Sequence, residues 1–440
     1  MKKFHLSPLI IIVLSFMTII VVGTLLLKLP ISIKPNESIS WVDAFFTSTS
    51  AICVTGLSTI PDIGSTFSVF GKIIIAVLIH IGGLGIVTVA IYVLMLLGIR
   101  IGVMERYVLK EAMNQPSIQG MVKLVKKIII TSFAIEFIGL ILNFIVFIQD
   151  YPFWQALGIS AFHTVSSFNN AGFDILGSQS LMAYSDNILL NISTMLMIIL
   201  GGIGFIVIFD ITKKHKWHDL TIYSKAVIKI SAILIVFGTL FIKLTNYQSI
   251  TWLQAIFQSV TTRTAGFSTT DIGSLSLPSL ALIMGFMFIG ASPNSTGGGI
   301  KTTTFYTMFF STISFLRGKP PVIKQKRIDD ETRLKAFTLA GIALMIVFTI
   351  FITLVWIESN NENITNPFVQ IMFESMSAFG TVGLSTGITP LLSTASKWII
   401  MVLMFVGRLG PITIFGIFNK NWGHPNVSNV EYSPAKILIG

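Results

Sequence analysis

The sequence predicts an all-α, polytopic membrane protein with eight transmembrane segments. Of its 440 residues, 53% are hydrophobic and 11% are charged, whereas soluble domains carry about 25% charged residues. The mean hydropathy is +0.82. The apolar residues also fall into eight long runs, each close to the roughly 20 residues that an α-helix needs to cross a bilayer. These observations exclude a chain of soluble globular domains.

The eight runs form four consecutive pairs. In chain order the pairs are 7–29 with 71–98, 128–148 with 187–211, 226–244 with 278–316, and 336–357 with 398–418. The first run follows Lys2 and Lys3 and resembles a signal peptide. It is too long for the hydrophobic region of one, and no small-x-small cleavage site follows it. We therefore expect it to remain as the first membrane helix.

The basic residues lie in alternate loops. Twenty of the 30 Lys and Arg are Lys2, Lys3 and those in segments 100–127, 213–229 and 317–335, while acidic residues occupy the other loops. This is the positive-inside pattern, which places the basic loops and both termini in the cytoplasm. The net charge of +11 is thereby explained without nucleic acid as a partner; the partner is the lipid bilayer of the cell membrane.

Each basic loop follows a complete pair of runs, so every pair starts and returns on the cytoplasmic side. Repeats that share one orientation are arranged about an axis along the membrane normal. We expect repeat 1 over 1–125, repeat 2 over 126–215, repeat 3 over 216–333, repeat 4 over 334–418 and a cytoplasmic tail over 419–440.

A short semi-polar segment lies between the two runs of each pair. These segments, 46–57, 162–173, 257–267 and 373–384, each begin with Phe, continue with Ser and Thr, and end in Gly followed by an apolar residue. The Gly comes ten residues after the Phe in three segments and nine in the third. Helix-start signals precede two of them: Ser40 with Asp43, which resembles a capping box, and Asn366-Pro367, an N-cap followed by Pro at the first helical position.

Such a segment is typical of a pore loop. A half-helix that ends inside the membrane leaves its last carbonyls unpaired and directs partial negative charge inward. The strand that returns has carbonyls free to replace the hydration shell of an ion. Non-helical backbone at that depth is tolerated where it lines a watery cavity. We therefore predict four helix–pore-loop–helix repeats around one central pore.

The filter strands of this pore define the predicted ion-binding residues, which act through their backbone. They are Val54, Thr55, Gly56 and Leu57; Asn169, Asn170, Ala171 and Gly172; Thr264, Ala265 and Gly266; and Thr381, Val382 and Gly383. Ordinary extracellular loops are also rich in Ser, Thr and Gly, so one such segment would indicate nothing. Four at matching positions favour the pore loop.

These four segments resemble the Trk/Ktr/HKT superfamily of potassium transporters. The resemblance covers the whole chain, includes residues 168–173 and 262–267, and is strongest to the bacterial Ktr-type membrane subunit. It implies potassium uptake, a homodimer with one pore per subunit, and a cytosolic nucleotide-binding ring that regulates it. Sodium-passing plant members of the family carry Ser at one filter position, whereas all four positions here are Gly. The resemblance therefore implies that K+ occupies the filter; a sodium requirement remains open, and no organic cofactor is expected in this chain.

The third returning run is interrupted. Residues 278–316 number 39, and 290–301 contain one Pro and four Gly, so the flanking pieces are too short to span alone. A phosphate-binding loop is excluded because its Gly-Lys-Ser/Thr ending and βαβ context are absent. By resemblance, this is an intramembrane gating loop. The predicted gate residues are Ser292, Gly297, Gly298, Gly299, Lys301 and Arg408.

Arg408 is expected deep in the membrane, where a charge usually marks function. We expect it to meet loop carbonyls or a carboxylate. Glu136 is open between a functional buried acid and a structural partner of a basic residue, and for Asp210 the structural interpretation is favoured. His80, His163 and Cys53 are interpreted as packing residues, as are the glycine pairs at 82–83 and 201–202.

Two other classes of protein have to be distinguished from a potassium transporter. A sodium-coupled secondary transporter of cations or solutes would show inverted repeats and ionisable residues at midplane, whereas the repeats here are parallel and the filter segments are uncharged apart from Arg263. An enzyme would need a polar catalytic cluster, and no Ser/His/Asp set or carboxylate pair is evident in the sequence. We therefore expect a transport protein and not an enzyme.

Overall fold

The computed structural model describes residues 7–115, 117–323 and 326–418. Within these ranges the chain is α-helical apart from loops, short 3-10 turns and one small antiparallel hairpin formed by β1 (Val322–Ile323) and β2 (Lys326–Arg327). The all-α fold class is therefore confirmed. The predicted tail, 419–440, lies outside the described residues.

The helices are numbered in chain order and form four similar groups. The first group contains α1 (Pro8–Leu27), α2 (Trp41–Ile52), α3 (Ile63–Thr66), α4 (Val69–Leu84), α5 (Ile86–Leu96) and α6 (Val103–Ala112). The second contains α7 (Met121–Phe147), α8 (Phe153–Phe168), α9 (Ile188–Gly202) and α10 (Phe205–Lys214). The third contains α11 (Ile222–Thr245), α12 (Trp252–Thr261), α13 (Leu277–Phe288) and α14 (Thr302–Leu316). The fourth contains α15 (Asp330–Ile357), α16 (Pro367–Gly380), α17 (Thr394–Leu409) and α18 (Pro411–Phe418).

Each group opens with a continuous outer helix: α1, α7, α11 or α15. These helices have 20, 27, 24 and 28 residues, and at 1.5 Å per residue they extend roughly 30–42 Å. All four are long and apolar enough to cross a membrane unaided. Leu14, Phe137, Ile233 and Met345 are large apolar side chains exposed on them, as expected for the surface that faces lipid.

Three outer helices begin earlier than their apolar runs predict. α7 begins at Met121, α11 at Ile222 and α15 at Asp330, because charged residues at the aqueous end of a membrane helix keep helical geometry. The cap of α15 is Asp329, whose carboxylate accepts a hydrogen bond from the backbone N–H of Thr332 at 2.8 Å. That backbone bond, with the Thr332 hydroxyl, lowers the pKa of Asp329 from its ordinary value.

The second helix of each group, α2, α8, α12 or α16, is too short to span and ends in the interior. α12 has a full capping box between Thr251 and Gln254. In α2, Ser40 Oγ accepts from the Asp43 backbone N at 3.0 Å, as the sequence predicts. Asn366 occupies the N-cap position of α16, but its side chain makes no capping bond; Gln370 Oε1 instead accepts from the Asn366 backbone N at 3.0 Å.

The inner segments are divided, which the sequence did not predict for 71–98, 187–211 and 398–418. α4 and α5 meet at 102°, and α9 and α10 at 98°. The break falls at Gly85 (φ 86°) and Gly204 (φ 90°), and Gly410 (φ 83°) repeats it between α17 and α18. A residue with left-handed φ cannot continue a right-handed helix, and glycine adopts it without steric cost. The eight expected segments are thus four continuous helices and four divided ones.

The four groups close into a ring. α4 packs on α8, α9 on α12, α13 on α16, and α17 on α2, so the inner segment of each group contacts the short helix of the next. The fourth group closes the ring by contacting the first. Phe46, Phe162, Phe257 and Phe373, which open the four semi-polar segments, are all buried in this arrangement.

Candidate functional site

The four strands that follow the short helices share one backbone conformation. Two residues before the closing glycine, each strand has a residue with left-handed φ: Val54 (56°), Asn170 (56°), Thr264 (77°) and Thr381 (49°). The closing glycines Gly56, Gly172, Gly266 and Gly383 also have positive φ, between 69° and 94°. Positive φ is uncommon for residues other than glycine and costly for a β-branched one. Its recurrence in all four strands indicates that the surrounding structure imposes it.

The closing glycines form a closed ring. A Cβ on Gly56 would lie 2.4 Å from the carbonyl oxygen of Ala171, and one on Gly172 would lie 2.6 Å from that of Ala265. One on Gly266 would lie 2.3 Å from the carbonyl oxygen of Val382, and one on Gly383 would lie 2.1 Å from that of Thr55. Each glycine therefore abuts the strand of the next repeat, and only a residue without Cβ fits.

The exposure pattern within the strands identifies the lining of the passage. Gly56, Gly172, Gly266 and Gly383 are partly accessible, whereas the residue on either side of each is buried. The side chains of Thr55, Leu57, Ala171, Ala265 and Val382 thus pack into the protein and leave the backbone at the axis. Backbone carbonyls in this position can replace the hydration shell of a cation.

Hydrogen bonds fix each strand to the end of its short helix. The backbone N of Thr55, Ala171 and Val382 donates to the carbonyl five residues earlier, at 2.8–2.9 Å. Ala265 N instead donates to Thr261, four residues earlier, at 2.9 Å. The third strand is therefore shorter by one residue, which accounts for its nine-residue spacing between Phe and Gly.

Residues 289–301 form a non-helical loop between α13 and α14. Its two ends lie side by side, since Ile289 and Ile300 form a parallel bridge and Gly290 N donates to Ile300 O at 2.8 Å. Ser292 N and Thr296 N donate to the carbonyls of Gly202 and Gly201 at 3.0 and 3.2 Å. The loop thereby covers the last turn of α9.

The same loop contacts the filter strands. Gly298 N donates to Thr381 Oγ1 at 3.0 Å, and Gly299 N donates to the Gly407 carbonyl at 3.2 Å. A Cβ on Gly297 would lie 2.2 Å from Thr264 Oγ1, and the Asn170 amide lies 2.9 Å from Thr296 Oγ1. The loop therefore touches the strands of repeats 2, 3 and 4, directly beyond the ends of the short helices.

Two basic side chains lie at this loop. Arg408 donates to the carbonyl oxygens of Thr296 and Gly82, and to that of Gly83 at 3.3 Å. Of the two expected kinds of partner, Arg408 thus meets carbonyls; its described hydrogen bonds involve no carboxylate. Lys301 Nζ donates to the Gly297 carbonyl at 2.8 Å. The Arg408 guanidinium connects the loop of repeat 3 to the end of α4 in repeat 1.

Glycines of the inner helices pack against the short helices, as the sequence indicates for the pairs at 82–83 and 201–202. A Cβ on Gly82, Gly201 or Gly407 would lie 2.1, 1.9 or 2.0 Å from the carbonyl oxygen of Ile52, Phe168 or Phe379 respectively. These glycines let the inner helices approach the final carbonyls of α2, α8 and α16. Packing through small residues is common between membrane helices.

The acidic candidates have structural partners. Asp210 lies 2.9 Å from Lys214 Nζ and accepts from the backbone N of Thr221 at 2.8 Å. Glu136 Oε1 lies 3.2 Å from His80 Nδ1 and accepts from Asn169 Nδ2 at 3.0 Å. The Asn169 side chain is therefore directed at α7, and only its backbone remains available to the filter.

Two further buried polar side chains, Arg263 and His163, contact neighbouring helices. Arg263 is buried and its Nη2 donates to Ser231 on α11 at 3.1 Å, so its charge is directed at an outer helix. His163 Nε2 lies 2.8 Å from Thr194 Oγ1. Both contacts agree with packing or positioning.

Glu374 was missed by the sequence analysis. It follows Phe373 in α16, is buried, and accepts hydrogen bonds from the hydroxyls of Ser385 and of Thr389, the latter at 3.0 Å. It therefore holds the chain that leaves the fourth filter strand. The available signal was a lone carboxylate inside a short helix otherwise made of apolar, Ser and Gln residues.

Comparisons with known proteins agree with one another. The family model described as TrkH, cation transport protein, matches residues 7–429. The chain is 38% identical to Ktr system potassium uptake protein B of Bacillus subtilis, covering 100% of this chain and 98% of that protein. It is 35% identical to potassium/sodium uptake protein NtpJ of Enterococcus hirae, covering 99% and 98%. Its fold is similar to the crystal structure of the potassium transporter TrkH from Vibrio parahaemolyticus, with a TM-score of 0.73, 20% identity, and coverage of 96% and 87%.

Proposed function

This chain belongs to the TrkH family of cation transport proteins, and on that premise we propose that it takes up potassium across the cell membrane through the ring of four glycines. The relatives at 38% and 35% identity are named for potassium uptake and for potassium/sodium uptake. They are transport proteins and not enzymes, and the chain itself is a multi-pass membrane protein.

The observation that carries the proposal is the closed glycine ring. Four strands with one backbone conformation meet at Gly56, Gly172, Gly266 and Gly383. Each of these glycines is partly accessible, whereas the residues directly before and after it are buried. A site made of uncharged carbonyls suits a monovalent cation, whose hydration the carbonyls replace. K+ is the expected occupant because the relative at 38% identity is named for potassium uptake.

Loop 290–301 is proposed as the gate of this pore. It contacts three of the four filter strands through Thr296, Gly297 and Gly298. Lys301 and Arg408 bring two positive charges to it. A cation leaving the filter on this side meets both a backbone obstruction and an electrostatic one.

The proposal also covers the orientation of the chain in the membrane and its assembly. We place both termini in the cytoplasm, since the basic loops 100–127 and 317–335 border helix ends on one side. By family resemblance, the chain forms a homodimer on a cytosolic nucleotide-binding ring. These two loops and the tail 419–440 would supply the cytoplasmic part of the dimer interface and the docking surface for the cytosolic ring.

Sodium coupling is the second candidate, since one relative is named for potassium/sodium uptake. A sodium-coupled transporter is expected to place an ionisable group on the ion path. The buried carboxylates described near the filter are instead hydrogen-bonded to side chains of the protein. Glu136 accepts from Asn169, and Glu374 accepts from Ser385 and Thr389. The uncoupled potassium pathway is therefore preferred.

Flux from proteoliposomes tests the proposed function. Purified protein is reconstituted, and the uptake of potassium, rubidium and sodium is compared under the same gradient. Potassium uptake in sodium-free buffer, faster than sodium uptake, is expected. Uptake that begins only when sodium is added would support the coupled transporter, and equal rates for sodium and potassium would contradict a potassium filter.

A further inference from the structure

A cavity of about 340 Å³ lies where α14 ends, β1 and β2 pair, and α15 begins. Its lining includes Ser311 and Phe315 from the last turns of α14, Lys319 from the following turn, Arg327 from β2 and Arg333 from the first turn of α15. It lies outside the filter and the gating loop, and neither uses these residues.

The charge of the lining is positive. Arg327 Nη2 lies 3.0 Å from Asp330 Oδ2, and Arg333 Nη1 lies 2.6 Å from Asp330 Oδ1. One carboxylate therefore serves two guanidinium groups. Lys319 has no ion-pair partner among the residues that the structure describes. Three cations around one carboxylate leave an excess of positive charge, which favours an anion.

Two of the residues that line the cavity carry a buried polar atom with no partner in the described part of the chain. Ser311 is 2% exposed and its Oγ makes no hydrogen bond. Arg333 Nε is likewise buried and unbonded. An unpaired buried donor costs about 1–3 kcal/mol, so both are expected to bond to a ligand. A hydroxyl and a guanidinium N–H together suit phosphate oxygens.

The position of the cavity identifies the source of the phosphate. Phe315 and Leu316, at the end of α14, are highly exposed, and Leu334, next to Arg333, is also exposed. These apolar side chains lie on membrane helices, so the cavity lies where the lipid-facing surface gives way to the basic segment 317–335. A ligand there can have apolar chains on one side and a charged group on the other. Basic pockets of this kind bind anionic lipid headgroups.

We propose that this cavity binds the phosphate headgroup of an anionic phospholipid, with Lys319, Arg327 and Arg333 as its cationic contacts and Ser311 Oγ as a further donor. The lipid would fasten the hairpin and the start of α15 to the end of α14. This inference goes beyond the proposed function, since it needs the chain to lie in a membrane but does not depend on which ion it carries.

The test is a thermal-shift titration of the purified full chain in detergent, without any cytosolic partner. The probes are dioctanoylphosphatidylglycerol, dioctanoylphosphatidylcholine and inorganic phosphate. We expect phosphatidylglycerol to raise the melting temperature saturably, and the other two to leave it within error. Replacing Lys319→Gln together with Arg333→Gln should raise the half-saturating concentration about 30-fold, as expected for two cations near an anionic headgroup.

Lys335→Gln is the matched control, because Lys335 is an exposed cation in the same segment but does not line the cavity; it should titrate like the wild type. If the double variant does not elute as the wild type in gel filtration, Arg327→Gln replaces it, since that side chain is 61% exposed and its loss should weaken binding about fivefold. Equal shifts with phosphatidylcholine, or unchanged binding by these variants, would overturn the site. A full shift with inorganic phosphate alone would overturn the lipid as its source.

Discussion

Arg408 connects two repeats through the mouth of the filter. Its guanidinium donates to Thr296 in the loop of repeat 3 and to Gly82 and Gly83 at the end of α4. A charge inside a membrane protein is costly unless it is compensated, and here carbonyl dipoles compensate it. These bonds hold the loop in place while the positive charge remains near the proposed ion path.

Replacing Arg408→Ala should raise potassium flux in the absence of any cytosolic partner. A unit charge about 4 Å from an ion costs about 4 kcal/mol at an effective dielectric constant near 20. Removing even part of that cost, and freeing the loop, should raise the initial flux roughly tenfold. The measurement is potassium uptake by proteoliposomes at equal protein content.

Lys397→Ala is the control for this variant. Lys397 lies on the same helix, α17, but its Nζ is 3.4 Å from Asp43 at the opposite end. It should conduct like the wild type. An Arg408→Ala protein that folds and conducts no faster than Lys397→Ala would show that Arg408 adds no barrier.

At the residue scale, the sequence could predict that four glycines occupy equivalent positions and that Arg408 contacts the loop, but not the side chains that hold the strands. Four glycines at matching positions in four repeats can be recognised from the sequence alone. The bond between Glu136 and Asn169 joins residues 33 apart, and the bond between Thr389 and Glu374 depends on where the chain returns after the strand. Pairings of this kind are set by tertiary packing and leave no local pattern.

At the scale of the elements, the inner helix of each repeat is interrupted. Gly85, Gly204 and Gly410, each with left-handed φ, divide three of the inner segments. Loop 289–301 divides the inner segment of the third repeat. Hydropathy detects that each segment is apolar but carries no information on its direction, so the bends of α4 and α9 were missed. The interruption in the third repeat was predictable because its Pro and four Gly fall within twelve residues.

Deleting 292–298 should open the pore and not abolish transport. Residues on either side of the deletion already lie close together, since Gly290 N donates to Ile300 O at 2.8 Å and Thr302 N donates to Ala291 O at 3.3 Å. α13 and α14 can therefore keep their positions. Without the cytosolic ring, we expect the initial potassium flux of the deletion variant to exceed that of the wild type.

Flux of the deletion variant has to be compared at equal amounts of folded protein. Gel filtration in detergent and the melting temperature establish that equality. A deletion variant that behaves as the wild type in both measurements, yet conducts no faster, would exclude the loop as the gate.

At the scale of the whole molecule, one chain supplies all four sides of the filter. α17 of the last repeat packs on α2 of the first, so a pore closes without a second subunit. The proposed dimer would then serve regulation and stability. The proposed contacts are the cytoplasmic loops and the tail 419–440, which ends in the short apolar run 437–440.

Truncation after Lys420 tests the role of the tail. If the apolar end is buried at an interface, the truncated protein should elute as a smaller species or lose binding of the cytosolic ring. Size-exclusion chromatography with light scattering measures the mass, and co-elution measures ring binding. A truncated protein that stays fully dimeric and ring-regulated would refute the assignment, since a frayed terminus is the common alternative.

The central claim is that potassium passes through the ring of filter glycines, and the measurement that tests it most directly is the ratio of potassium to sodium uptake for single serine replacements. A Cβ on Gly383 would lie 2.1 Å from the Thr55 carbonyl oxygen, and one on Gly56 would lie 2.4 Å from that of Ala171. Gly387, at φ 91°, has no atom within 4 Å of its Cβ position. Gly387→Ser therefore imposes the same backbone strain without touching the ring.

Gly56→Ser and Gly383→Ser should each lower potassium uptake and the potassium-to-sodium ratio, roughly tenfold or more, because the added atoms displace carbonyls that must face the ion. Gly387→Ser should keep both values near those of the wild type. Unchanged uptake and selectivity in the two ring variants, at equal membrane expression, would contradict the claim that these glycines form the filter.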